Sequence, residues 1–334
     1  MPATITDAVS FLETQWSSAN DNKVKGILAE VRLKAYLTQH RAFFGPGGWI
    51  AIPGKPTPQN NVPTRSKVVI IPRPRSFTWQ TNGGAGLSLR PAELSAYNYF
   101  RQHGVQAYFA DPDAPDEAAF SLPTPSSGNL RAVYPRPYRI ELKVVEFNGE
   151  LSAVDPRDAF GQFPPRQGNI GLRCHSTGRL NILSAPWDNA GVVSELFWFE
   201  YARYYFQIDY LLSVNDLDMY LIGASGTPYP VELKSKKAAH DTGLGDWFGI
   251  DMGPFAKLAF FTSNGMNTEA IYIVEEVDGS GEFVDWLAIR FTELVKSCSW
   301  VGQAGGTGMT GGASVTYKVP KAAFSRLSML LPTL

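Results

Sequence analysis

From Asn215 to Lys236, apolar and polar residues alternate with a period of two, interrupted once by Gly223-Ala-Ser-Gly-Thr-Pro228. No other stretch restricts the fold as strongly, because it reads as two short strands joined by a turn rich in Gly, Ser, Thr and Pro. On the first strand Asp218, Tyr220 and Ile222 share a face, and Met219 and Leu221 share the other. On the second, Glu232 and Lys234 point one way, while Val231 and Leu233 point the other way and can enter a core. A hairpin of this kind sets Asp218 beside Glu232. The expectation is two carboxylates and one ammonium gathered at a sheet edge.

Two carboxylates a few Å apart repel unless a cation lies between them, and oxygen donors of this type suit Mg²⁺. Lys234, two residues on from Glu232, is placed to orient a water or to stabilise charge on a phosphate. The chemistry that follows is in-line hydrolysis of a nucleic-acid strand. With Asp218, Glu232 and Lys234 flanked by apolar strand residues, the stretch from about 190 to 277 resembles the PD-(D/E)xK nuclease superfamily, which includes type II restriction endonucleases and junction resolvases. Leu217 stands where that motif carries proline. The resemblance implies a metal held by Asp218, Glu232 and the Leu233 backbone carbonyl, with Lys234 positioning the attacking water.

The Glu-x-Lys triplet alone says little, since a chain of this length holds about one by chance at average usage. A second copy, Glu141-Leu142-Lys143, follows a Pro- and Ser-rich run from Ala110 to Ser127 and reads as an ordinary amphipathic strand. Context separates the two copies. Gly191 to Phe206 reads as a helix that is apolar nearly all round and therefore buried. Its Glu195 needs a partner to be tolerated there, and Gly191-x-x-x-Glu195 matches a helix pattern that the nuclease family places before the aspartate strand. Glu195 is the favoured supporting carboxylate. Glu200, with Arg203 three residues on, is a rival, and so is Glu30, in the echo Gly26-x-x-x-Glu30. Downstream, Gly253-Pro254 opens a helical run through Phe255, Lys257, Leu258, Phe260 and Phe261, and Glu269–Glu276 reads as a strand. Helix, strand, strand, helix, strand is the element order of that family's core.

Formal net charge is −1, yet from Lys23 to Arg90 the chain carries eleven lysines and arginines against one acidic residue, Glu30. Such a local excess is the footprint of a polyanion-binding surface. Within it Arg65, Lys67, Arg73 and Arg75 lie near Phe77 and Trp79 and are the candidate DNA contacts, joined by Lys236 from the core. With 44 % hydrophobic residues, 334 residues can build a full core, and no run approaches the ~20 apolar residues of a membrane span. The N-terminus lacks a signal-peptide pattern, and Cys174 and Cys298 are a sparse pair without metal spacing, so a cytoplasmic setting is expected. The glycines of 302–314 lack the lysine and spacing of a phosphate-binding loop.

Helices are expected at 7–20, 24–39 and 91–103, strands at 67–71, 138–147, 150–154 and 315–319, and an irregular stretch at 160–181. These place a boundary near 185. Residues 1–185 form an N-terminal α+β DNA-recognition region. Residues 186–334 form the catalytic core, an α/β fold with a mixed central sheet flanked by helices, ending in the Gly-rich loop and a strand. The expected function is Mg²⁺-dependent, sequence-specific cleavage of double-stranded DNA of the restriction type, by a homodimer if both strands of a palindrome are cut. A junction-resolving or repair nuclease is the alternative enzyme. A nucleic-acid-binding protein without catalysis is the alternative of another class, and a β-rich sugar- or small-molecule-binding protein ranks last.

Overall fold

The computed structural model describes residues 21–53, 68–72, 89–102, 104–112, 142–160, 196–199, 201–202, 212–263, 269–300, 302–304 and 315–334. The chain is mixed α/β, with a mixed main sheet, a smaller antiparallel sheet, and helices. It divides into two interleaved units, one made of Lys25–Gly47, Leu94–His103 and Leu217–Leu334, the other of the remaining residues. The boundary expected near 185 lies outside the described residues. No helix among them is long and apolar enough to cross a membrane.

The unit that carries the hairpin holds helix α1 (Asp21–Gln39, from Lys25 onward) and the strands β6 (Leu212–Ile222, from Leu217), β7 (Pro228–Lys236), β8 (Ala239–Asp241) and β9 (Gly245–Asp251). Helix α4 (Met252–Ser263), strands β10 (Ile271–Val277) and β11 (Phe283–Arg290), helix α5 (Phe291–Ser297) and the two-residue strand β14 (Ser325–Arg326) complete its main layers. The main sheet runs β14-β11-β10-β7-β6, with β7 parallel to β10 and the other pairs antiparallel. A parallel pair needs a crossover, and α4 provides it. Before α4 the chain forms a hairpin of its own, β8–β9, which the sequence reading did not anticipate. With β12 (Gln303–Ala304) and β13 (Val315–Pro320) it makes a separate antiparallel sheet, β12-β13-β9-β8.

Both faces of the main sheet are buried. On one, Met219, Leu221, Val231, Leu233, Ile271 and Ile273 pack against Ala29, Leu33 and Leu37, which recur every four residues along α1 and so form one stripe. On the other, Tyr272, Val274 and Ile289 pack with Leu258 of α4, Leu294 of α5 and Phe248 and Ile250 of β9. Tyr220 on this face is sealed by edge-on contacts with Tyr99 and Phe100 of helix α2 (Pro91–Gln102). This corrects the expected sheet edge. β7 lies inside the sheet, between β6 and β10, and β6 has β7 and β1 as neighbours, so Glu232 and Asp218 sit on two interior strands.

In the other unit, β1 (Phe43–Pro53) pairs through Trp49–Ala51 with β2 (Val68–Pro72), which runs parallel to β3 (Gln106–Pro112). The expected loop from Ala110 therefore begins as strand. β3 continues antiparallel to β4 (Leu142–Phe147) and β5 (Leu151–Val154), and the β4–β5 turn needs Gly149 at φ 89°. Helix α3 (Pro156–Phe160) follows. Leu142 and Lys143 of the second Glu-x-Lys triplet open β4, and its Glu141 lies outside the described residues. Residues 196–199 and 201–202 are helical, with Phe197, Trp198 and Tyr201 buried, Phe197 stacked on Tyr201 and Trp198 edge-on to both.

Candidate active site

Hairpin register assembles the acidic pair. β6 pairs with β7 from Ile222↔Pro228 to Met219↔Val231, so one further step along each strand faces Asp218 with Glu232. The turn that sets this register closes with Gly223 N–H donating to Thr227 O at 2.9 Å and Gly226 at φ 80°. Asp218 Oδ2 accepts the Leu233 N–H at 2.6 Å, so Leu233 joins the site through its amide. Behind Asp218, strand β1 passes so closely that a Cβ on Gly47 would lie 1.7 Å from Leu217 O and 2.7 Å from Asp218 O. Only glycine fits there.

Glu232 is 1 % exposed and holds two ammonium groups. Lys234 Nζ lies 2.6 Å from its Oε1, and Lys257 Nζ, arriving from α4, lies 2.5 Å from its Oε2. Lys257 is the member of this cluster that the sequence named without giving it a role. Its signal was available, since a lone lysine between Phe255 and Leu258 on an apolar helix needs an anion.

The charges of the group are strongly interdependent. Burial, and then the Glu232 carboxylate, push the Asp218 carboxyl up to about 7, against the pull of Lys257 and Lys234. Glu30 adds to that rise, which places α1's carboxylate within electrostatic range of Asp218, although it is also paired with Lys34 at 2.9 Å. Burial works against the charged form of Glu232, but Lys257 and Lys234 outweigh it and hold the carboxyl below its ordinary value. Burial would likewise lower Lys234. The carboxylates of Glu232 and Asp218, with Asp251 further off, instead hold it above its ordinary value. Lys234 is thus a hydrogen-bond donor and a positive charge, not a base.

Lys236 is turned toward β9, where its Nζ donates to Gly249 O at 2.6 Å, and burial lowers its proton affinity. The Tyr272 hydroxyl donates to the same carbonyl at 2.9 Å. Asp251 Oδ1 accepts the Thr316 hydroxyl at 2.6 Å. Glu195, Glu200, Arg65, Lys67, Arg73 and Arg75 lie outside the described residues.

Asp218 and Glu232 are the side chains able to hold a cation. The donor chemistry fits Mg²⁺, which accepts one or two carboxylates and keeps its remaining positions for water and substrate. The observation on which the fit rests is the register that faces Asp218 with Glu232, since a cation between the two would offset the repulsion that, after burial, raises the proton affinity of Asp218. Among the described residues, no group of three or more His, Cys, Asp or Glu side chains is gathered to hold a metal. No protein-family model, no curated protein and no solved structure matches the chain.

Proposed function

We propose that this chain is a Mg²⁺-dependent DNA endonuclease of the restriction type, built on a PD-(D/E)xK-like core. The observation that carries the reading is the convergence of Asp218, Glu232 and Lys234 on one face of a hairpin. Asp218 and Glu232 would hold the metal, which when bound acidifies a water and polarises the phosphate. The protein's own groups do the rest. The Leu233 amide fixes one oxygen of Asp218, so that the other is free to aim at a ligand. Lys234, held protonated, orients the attacking water or neutralises charge on the scissile phosphate. Buried apolar residues on both sides of the sheet hold these groups in place with little motion. Of the basic residues from Lys23 to Arg90, Arg32, Lys34 and Arg90 are paired with Glu275, Glu30 and Glu93, and it is the remaining excess that supports a duplex partner; cutting both strands of a palindrome calls for two copies of the chain.

The test is incubation of the purified protein with a phage-sized duplex in Mg²⁺, beside Lys234→Ala and an EDTA control. Discrete fragments from the wild type alone are expected. A smear that disappears in both controls would keep the nuclease and remove the restriction reading. One observation favours a second reading, a nucleic-acid-binding protein without catalysis. Both oxygens of Glu232 already carry ammonium groups, so this carboxylate is charge-balanced without a metal. Duplex binding that persists in EDTA, with no cleavage of duplex, junction or single strand, would establish it.

A further inference from the structure

The geometry points to Lys257 as a tethered competitor for the cation. It holds the Glu232 oxygen that a divalent ion must take, and so it sets the affinity of the site. This rests on the metal-dependent reading above and adds a regulator to the same site. The Nζ of Lys257 is 2.5 Å from Glu232 Oε2, while Oε1 is held by Lys234 at 2.6 Å. A metal reaching Glu232 therefore displaces one of the two lysines. Lys234 is fixed at the base of its side chain, because β7 is paired along its length with β10, where Val274 faces it. Lys257 belongs to a different element. It sits in the second turn of α4 on a four-carbon stem, and the neighbouring Leu258 anchors the helix in the core. Its side chain is 12 % exposed, against 32 % for Lys234 and 2 % for Glu232, so Lys257 closes the inner side of the carboxylate while Lys234 stays on the solvent side, where a bound phosphate would lie.

The arrangement has a physical rationale. A carboxylate buried without a partner is costly, so a site that stayed empty between turnovers would strain the fold. An ammonium on a flexible stem covers that interval and gives way when a doubly charged ion arrives. The site then trades cation affinity for stability of the empty protein. Lys257 acts through Glu232, which makes it a positioning residue.

Divalent-cation binding without DNA tests the proposal, with Mn²⁺ as the probe, titrated by calorimetry and by the loss of its free-ion electron paramagnetic resonance signal. In Lys257→Gln the competing charge is gone, and Mn²⁺ should bind at least about tenfold more tightly, the lower bound being set by a unit charge a few Å from a doubly charged ion at the dielectric of water. In Lys257→Arg the competing charge is kept in a two-pronged form that grips a carboxylate harder, and binding should weaken severalfold. A merely structural role would move both variants in the same direction. Equal or weaker binding by Lys257→Gln in a protein with the wild-type circular dichroism spectrum would overturn the proposal. So would unchanged binding by Lys257→Arg, which keeps the test decisive if the glutamine variant does not fold. Wild-type protein that binds no Mn²⁺ would overturn the metal-dependent reading itself, a result separate from either of these.

Discussion

At the scale of single residues, the site is governed by an imbalance between two carboxyl groups. Glu232 has an ammonium on each oxygen, whereas Asp218 has a backbone N–H and two carboxylates for company, Glu232 beside it and Glu30 within range. The consequence for stability has a definite sign. In the folded protein Asp218 gives up its proton near pH 7, against about 4 for an ordinary aspartate in the unfolded chain. Between those values the folded state binds more protons than the unfolded one, so stability falls as pH rises. The contribution is complete below about pH 4 and lost once pH has passed about 7. The melting temperature of the cation-free protein should therefore drop from pH 5 to pH 8, and Asp218→Asn should flatten that part of the profile. Added Mg²⁺ should raise the melting temperature more at pH 8 than at pH 5 in the wild type, and not in the variant. A profile for Asp218→Asn that matches the wild type would show that another group titrates there. Glu232→Ala is a different case, because it strands two lysines together in a buried place. It should cost roughly 3–5 kcal/mol, read by denaturant unfolding.

At the scale of elements, what holds the site is the close pairing of β1 beside β6 in the sheet and the packing of α1 on its face. Gly47 is the sensitive point, since a Cβ there would meet backbone atoms of Leu217 and Asp218, which cannot rotate aside. Gly47→Ala should destabilise the protein by about 1–3 kcal/mol, as overpacking does. It should also cut the cleavage rate more than its stability loss explains, because the strand it displaces carries Asp218. Comparing single-turnover rates with unfolding free energies separates the two effects. Leu33→Ala, by contrast, opens a cavity in the stripe of α1 and should cost roughly 2–5 kcal/mol with little change in rate. The difference between local and non-local structure also decides how much the sequence could reveal. The β6–β7 hairpin was legible because its period, its turn residues and its partner all lie within Asn215–Lys236. Helix α1, the α2 helix and β10 were legible for the same reason, each announced by its own pattern. The pairing of β7 with β10 and the reach of Lys257 to Glu232 were not, because both depend on a crossover whose path no local pattern encodes. The β8–β9 hairpin went unread because its strands are short and Gly245, at φ 71°, is its strongest turn mark. Glu30 was read only as an alternative. A helix face can be assigned from Ala29, Leu33 and Leu37, but the strand that it covers cannot.

At the scale of the whole molecule, the proposal has to explain how a chain of formal net charge −1 engages a polyanion. Overall charge sets the long-range field only weakly here, so attraction has to come from where the charges sit. The eleven basic residues between Lys23 and Arg90 are confined to about a fifth of the sequence. A protein that uses several of them on phosphates must lose affinity steeply with salt, the slope of log affinity against log salt counting the contacts at about 0.9 each on duplex DNA. Binding measured in Ca²⁺, to suppress cutting, should therefore show a slope well beyond −3. Replacing Arg73 and Arg75 together by Gln should reduce its magnitude by up to about two if both touch phosphate. If one of them reads a guanine instead, the slope should change less, while discrimination between cognate and random duplex falls by the ~1–3 kcal/mol of a bidentate contact. The same preparation settles the assembly. Restriction of a palindrome needs one Asp218–Glu232 site for each strand, so sedimentation on a short cognate duplex should give two chains per duplex, and the active fraction should cut both strands in one binding event. One chain per duplex with nicked product would instead describe an enzyme that cuts a single strand, and would move the reading from restriction toward repair.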